Sequence, residues 1–325
     1  MLIKLFRKES VLQFIILLLL GFILWLPAFI HPLTSPAPWS PVPLYEKIIG
    51  LLGPSGYLNT SFALVLVIAE GILLTLLLSG HDLSPRNNLH PAILYMIFLS
   101  WNPEMLRVHP ALITNGVLLL FMYFFLKIYE KPDAYTEVFS ACFTLAVACC
   151  FDLPVGILLL LVWLGFMVYR IFSWHEWSIS MIGFCLPLLY IVFYYYWMDQ
   201  LPDFLHKTQY YISQLKFVDY KTDPVTFIIL IIISILVFAS ILKVINSIQE
   251  KVISIRKKFL FVVWFFILTV PIFLFSDESR WLQGSISFLP ATALVNFHFT
   301  SLKKLFWWEI LFTVFILGLL WIRIF

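Results

Sequence analysis

Residues 102–110 read NPEMLRVHP and lead into an apolar run, ALITNGVLLLFMYFFL (111–126). A charged break, KIYEKPDAYTE (127–137), separates it from a second apolar run that ends in Phe151-Asp152-Leu153-Pro154. A third run, VGILLLLVWLGFMVY (155–169), then reaches Arg170. These are three hydrocarbon-length segments whose polar residues sit at the ends, the pattern of consecutive membrane-crossing helices. Read that way, Glu104, Arg107, His109 and Asp152 collect at one membrane face. An ionisable cluster at such a face is a candidate site by default.

The rest of the chain fits the same solvent. Apolar residues make up 62% of the 325, charged residues only 12%, and the mean hydropathy is +0.97. A soluble domain has too little interior to hide that much apolar surface, so the composition predicts a polytopic membrane protein. There is no long polar stretch, so residues 1–325 read as a single transmembrane domain. The first apolar run (11–29) follows Lys4, Arg7 and Lys8 as a signal peptide would, but it lacks a small-residue cleavage site and is read as a retained helix. Cys142, Cys149, Cys150 and Cys185 all lie in apolar runs with no metal-like spacing to histidine, and read as packing residues.

A span needs about 20 apolar residues, and by that measure about eleven segments emerge. They are 10–29, 60–79, 91–102, 110–127, 138–151, 153–172, 178–198, 225–245, 259–276, 283–298 and 304–322. With the N-terminus in the cytoplasm, Lys and Arg divide about two to one in favour of the inner loops, the expected bias. The outer face then receives two long connections. The first, 30–59, is proline-rich and continues as LYEKIIGLLG (44–53), with Leu44, Ile48, Leu51 and Leu52 on one helical stripe. The second, 199–223, contains FLHKTQYYISQLKF (204–217), another amphipathic candidate. A shorter outer turn, SDESRW, covers 276–281. Trp and Tyr cluster near the ends of the spans, as interfacial anchors do. The inner loops carry no phosphate-cradling glycine motif, so nucleotide-driven chemistry is not expected, and neither is a nucleic-acid partner.

Several of these stretches resemble the GT-C superfamily of integral membrane glycosyltransferases. Residues 109–127 (HPALITNGVLLLFMYFFLK) resemble its segment in which a polar, proline-containing start leads into a long apolar helix. Residues 140–160 (SACFTLAVACCFDLPVGILLL) resemble its small-residue helix, polar break, proline and following helix. The break carries Phe151-Asp152 where many members have Thr-Lys. Residues 280–295 (RWLQGSISFLPATALV) resemble its late Arg-aromatic-Leu element. More specifically, NPEMLRVHPALITN (102–115), FSWHEWSIS (172–180) and YYYWMDQ (194–200) resemble an uncharacterised family of polytopic membrane proteins from Bacteroidota, which implies a bacterial inner membrane.

The resemblance implies an all-α, GT-C-like helical bundle and sugar transfer from a polyprenyl-phosphate donor. It also implies a carboxylate soon after the first span, acting as base or as ligand to a divalent metal. Here that loop begins PAFIHPLTSPAPW, with no acid before Glu46 and with His31 as the ionisable group at the expected place. No cofactor is certain from the sequence, and a divalent metal is the one the resemblance admits.

The residues themselves support two readings each. Glu46 is a candidate general base, or else the polar face of an interfacial helix beside Lys47. His31 can take a proton or bind phosphate, or hydrogen-bond at a span end. Glu104 is a second candidate base. It lies three residues before Arg107, so in a helical turn the two would pair; alternatively the Arg107 guanidinium matches a lipid phosphate. His109 belongs to the same group. Asp152 either caps the helix that follows it or pairs with Arg107 or Arg280 in an outer cavity. Arg280 is a donor-phosphate contact by the resemblance, or a solvated turn residue. Glu70, deep in a span, must face protein, be protonated or hydrogen-bond. His81, Asp82, Arg86 and His90 share an inner loop but lack ligand spacing for a metal.

Two functions follow. In one, the chain transfers a sugar from a polyprenyl phosphate to an envelope glycan or lipid. Glu46 or Glu104 is then the catalytic base, and His31, Arg107, His109, Asp152 and Arg280 bind substrate. In the other, the bundle has lost its acid and is a non-catalytic subunit of an inner-membrane secretion or envelope-assembly complex. Membrane lipids are partners in both, and other membrane subunits in the second.

Overall fold

The computed structural model describes residues 10–32, 43–53, 55–86, 88–129, 131, 134–214, 224–274, 280–301, 310, 313–316 and 318–319. At 10–12, 43, 46, 52, 214, 224–226, 274 and 280–281 it is the backbone alone that is described. Every regular element among these residues is helical.

The chain runs through α1 (Ser10–Ile30), α2 (Pro43–Leu52), α3 (Gly56–Gly80) and α4 (His90–Leu99) to a 3-10 turn at Pro103–Leu106. Then come α5 (Pro110–Ile128), α6 (Tyr135–Cys149), a second 3-10 turn (Leu153–Leu158) and α7 (Leu159–Tyr169). The remainder is α8 (Trp174–Trp197), α9 (Leu201–Gln214), α10 (Pro224–Ser247), a short 3-10 turn (Ile248–Glu250), α11 (Ile253–Leu274) and α12 (Arg280–Ser301). Proline opens several of these elements: Pro91 in α4, Pro103 in the first turn, Pro110 in α5 and Pro154 in the second turn. In the first turn of a helix the missing N–H has no partner to lose, and the fixed φ suits the start.

Each apolar segment expected from the sequence, through 283–298, falls mainly on a helix where it is described; 275–276 and most of 304–322 lie outside the described residues. The amphipathic stretch at 44–53 falls on α2 and that at 204–217 on α9 as far as residue 214, with 215–217 outside the described residues. Among the described residues, five helices are long and apolar enough to cross a membrane: Gln13–Ile30, Gly56–Gly80, Pro110–Ile128, Trp174–Trp197 and Phe227–Glu250. The apolar helices at His90–Leu99, Tyr135–Cys149 and Leu153–Tyr169 are shorter. The segment expected at 153–172 does not begin as an α-helix, because Pro154 follows Asp152 into a 3-10 turn before α7 starts.

Helix α5 is the axis of the fold, with 61% of its most apolar stretch buried. It packs against α3, α6 and α12. Helix α4 is buried at every one of its 10 positions. Helix α1 lies alongside α4, held at both ends. The Leu89 N–H donates to Gln13 Oε1 at 2.6 Å, and Trp25 Nε1 donates to Ser100 Oγ at 3.0 Å. Small residues set the close approaches, as they do where helices associate without a hydrophobic drive. A Cβ on Gly71 would lie 3.1 Å from Ala92 Cα, and one on Gly183 would lie 2.9 Å from the Phe139 carbonyl oxygen. Around α5 the core is aromatic: Phe125 stacks on Phe261 with centroids 4.2 Å apart. The outer surfaces of α1 and α8 instead expose Leu19, Phe22, Tyr190, Phe193 and Trp197, as a lipid-facing surface would.

Candidate functional site

The polar groups singled out at one end of the bundle do come together in part, but as buried structural bonds. Asp152 is fully buried at the start of the second 3-10 turn. It does not cap that turn; no side-chain cap bond forms. Its Oδ1 instead accepts from Gln283 Nε2, in the first turn of α12, at 3.3 Å. The same amide nitrogen donates to the Tyr211 hydroxyl of α9, also at 3.3 Å. The local cap lost to a long-range partner because α12 delivers an amide donor where water would otherwise be needed.

His109 forms the second half of this seam. Its Nδ1 lies 2.8 Å from the Arg107 carbonyl oxygen, which can only accept, so Nδ1 carries the proton. That leaves Nε2 as the acceptor facing Ser285 Oγ of α12 at 3.5 Å. The Ser285 carbonyl accepts from Asn115 Nδ2 of α5 at 3.2 Å. Burial holds the His109 pKa down at about 4; the nearby Arg107 charge adds to the depression, and the bond to the Arg107 carbonyl opposes it. At neutral pH the ring is therefore an uncharged part of the scaffold.

Both amphipathic helices close over this end by inserting a tyrosine. Tyr45 of α2 is fully buried and donates to the Val108 carbonyl at 3.3 Å, one residue from His109. Burial raises its pKa, so the hydroxyl stays a donor. Tyr211 of α9 is inserted beside Asp152. Beside α5, Glu70 of α3 faces protein and accepts from the Tyr95 hydroxyl of α4 at 2.7 Å. Gly116 makes room for it, since a Cβ there would sit 3.1 Å from Glu70 Oε1.

The remaining candidates are more exposed. Glu104 is exposed on the first 3-10 turn, whose start is fixed by Asn102 Oδ1 accepting from the Glu104 N–H at 2.9 Å. Arg107 is half-buried and follows that turn in extended backbone, φ −133° and ψ 162°. Helical pairing at i,i+3 is thus not imposed by the backbone: the turn stops at Leu106. His31 is exposed just beyond α1, its N–H donating to the Pro27 carbonyl. The side chains of Glu46 and Arg280 lie outside the described residues, and so does any meeting of Arg107 with Arg280. Among the described residues no group of three or more His, Cys, Asp or Glu side chains assembles to hold a metal.

Next to this end lies an apolar groove of about 600 Å³ between α10, α11 and α12. Trp101, Leu230, Phe238, Phe266, Phe273 and Phe288 are among its walls. Trp101 stands immediately before the turn that carries Glu104, and that turn packs against α12.

Sequence reasoning missed Gln283, Ser285, Asn115, Tyr45 and Tyr211. A signal was available for the first three, because a polar residue inside an otherwise apolar run must find a buried partner. The seam makes a direct prediction. Gln283→Leu removes the donor that Asp152 and Tyr211 share, which should cost about 1–3 kcal/mol. Thermal unfolding in detergent checks this, and an unchanged midpoint would show that the bonds carry no net stability. No family model, no curated protein and no solved structure matches this chain.

Proposed function

We propose that the protein is a multi-pass bacterial inner-membrane protein with a GT-C-like bundle of about eleven spans. Its N-terminus is cytoplasmic. It binds a polyprenyl phosphate and transfers the attached sugar to an envelope glycan or lipid. The single observation that carries this reading is the apolar groove that reaches Trp101, two residues before the 3-10 turn that carries Glu104 and is followed by Arg107. A groove walled by aliphatic and aromatic side chains suits an isoprenoid chain, and the Arg107 guanidinium, just past the turn that follows Trp101, suits the phosphate.

Because Asp152 and His109 are committed to buried bonds, the chemistry falls to exposed Glu104 and half-buried Arg107. Glu104 takes the proton of the acceptor hydroxyl, whose oxygen attacks the anomeric carbon. The bond from that carbon to the phosphate oxygen breaks, and its electron pair leaves with the polyprenyl phosphate held by Arg107. Arg280 is a second phosphate contact, and Glu46 an alternative base. No step uses a metal.

Mild-detergent purification with native mass spectrometry tests the proposal. A co-eluting polyprenyl phosphate is expected, and Ser287→Trp, which fills the groove, should lower its occupancy about tenfold while the protein stays folded. Arg107→Ala should abolish function without reducing the folded amount. A fall only in folded protein would assign Arg107 to holding the turn.

A second reading has its own observation. Only 17% of the most apolar stretch of α8 is buried, and it exposes Tyr190, Phe193, Tyr196 and Trp197. In the subunit reading this face meets another membrane protein. A stoichiometric partner with no polyprenyl lipid would support it and overturn the transferase.

A further inference from the structure

The far end of α12 borders a second cavity, of about 490 Å³, unlike the first in chemistry. It lies one helix length from Gln283, about 30 Å away. Its walls carry Arg86 from the α3–α4 connection, Lys243 from the last part of α10 and Lys251 from the α10–α11 connection. Asp82 and Glu250 are the acids among them. The C-terminal ends of α3, α10 and α12 border the space and by themselves favour a cation. The lining side chains oppose the helix ends with one net positive charge, three basic groups against two carboxylates, and these mobile groups are the ones that would meet an anion. Lys251 is further placed by the Phe297 ring, with its Nζ 5.8 Å from the centroid.

A buried hydroxyl gives the cavity direction as well as charge. Ser84 lines it and is only 7% exposed. Its oxygen accepts from Asn296 Nδ2 at 3.0 Å, and Asn296 Oδ1 in turn lies 3.0 Å from His90 Nδ1. With the amide so oriented, the bonds run one way, from His90 through Asn296 to Ser84. The hydroxyl hydrogen of Ser84 is then left to donate, beside the cations. Asp82 takes the left-handed backbone, φ 59°, in the tight turn that carries the chain from α3 to Ser84. A conformation uncommon outside glycine is kept where surrounding structure requires it.

We propose that this cavity binds a phosphate group, held by Arg86, Lys243 and Lys251 with Ser84 as the neutral donor. Basic pockets between helices at a membrane surface are a recognised seat for phosphate-bearing headgroups. A lipid headgroup and a free phosphate share that chemistry. The site is separate from the groove beside Trp101, and stands or falls independently of the transferase reading.

The full-length protein in neutral detergent is titrated calorimetrically with inorganic phosphate, with short-chain phosphatidic acid and with short-chain phosphatidylcholine. Saturable binding of phosphatidic acid but not phosphatidylcholine is expected, weakening as salt rises. Binding of inorganic phosphate with similar affinity identifies a soluble phosphate as the occupant, and binding of phosphatidic acid alone identifies a lipid headgroup. Arg86 and Lys251 are exposed, so Arg86→Gln with Lys251→Gln leaves the fold intact. That pair should weaken binding about tenfold or more. Ser84→Ala should weaken it about fivefold. No saturable binding of either anion, or binding that neither variant changes, would overturn the proposal.

Discussion

Replacing Gly165 by valine is expected to destabilise the bundle by about 3 kcal/mol, at the upper end of what overpacking a core costs. A Cβ at this position of α7 would lie 2.2 Å from Phe125 Cζ and 2.7 Å from Cε1. The ring has nowhere to go. Phe125 is fully buried, stacks on Phe261 at 4.2 Å and meets Tyr169 with centroids 5.5 Å apart. Either α7 moves off α5 or the aromatic stack breaks, and both open the centre of the fold. The unfolding midpoint in detergent reads the loss. Gly50→Ala is the control, since a Cβ there has nothing within 4 Å. Phe125→Leu in the Gly165→Val background should recover part of the stability, because the two positions share one contact. Equal midpoints for Gly165→Val and the control would show that the stack is not rigid.

Acid should open the other end. His109 has a pKa near 4 when folded and about 6.5 when unfolded, so between those values the unfolded chain binds the extra proton. The stabilisation is complete above pH 6.5 and is lost as the pH falls through about 4; its size is about 3 kcal/mol. Protonation puts a hydrogen on Nε2, the atom that faces Ser285, and a charge into a site closed by Tyr45. His109→Asn keeps a donor but cannot titrate in this range. Its unfolding midpoint should therefore be flatter across pH 4 to 6.5 than that of the native chain. Parallel curves for the two proteins would assign the acid sensitivity elsewhere.

The two expectations differ in how far the sequence alone could reach. That 111–126 is a helix follows from a long, mostly apolar run, and that it starts at Pro110 follows from proline chemistry. The helical stripe at 44–53 marked α2 with no knowledge of its neighbours. The site was less accessible. His109 and Asp152, grouped by sequence, both bond to the start of α12, at Ser285 and Gln283. The expected roles did not carry over: Asp152 bridges to Gln283 instead of capping, and Arg107 leaves the helical turn expected to pair it with Glu104.

What the sequence determined by itself is therefore the set of helices and many of their starts. A helix closes its backbone hydrogen bonds within its own segment, and in an apolar solvent that requirement marks the segment in the residues themselves. What the tertiary structure alone decided is which polar side chains meet. Asp152 and Gln283 are 131 residues apart, and His109 and Ser285 are 176. No local rule connects them. Buried polar atoms take partners from whichever helix packing brings within reach, and here α12 supplied them.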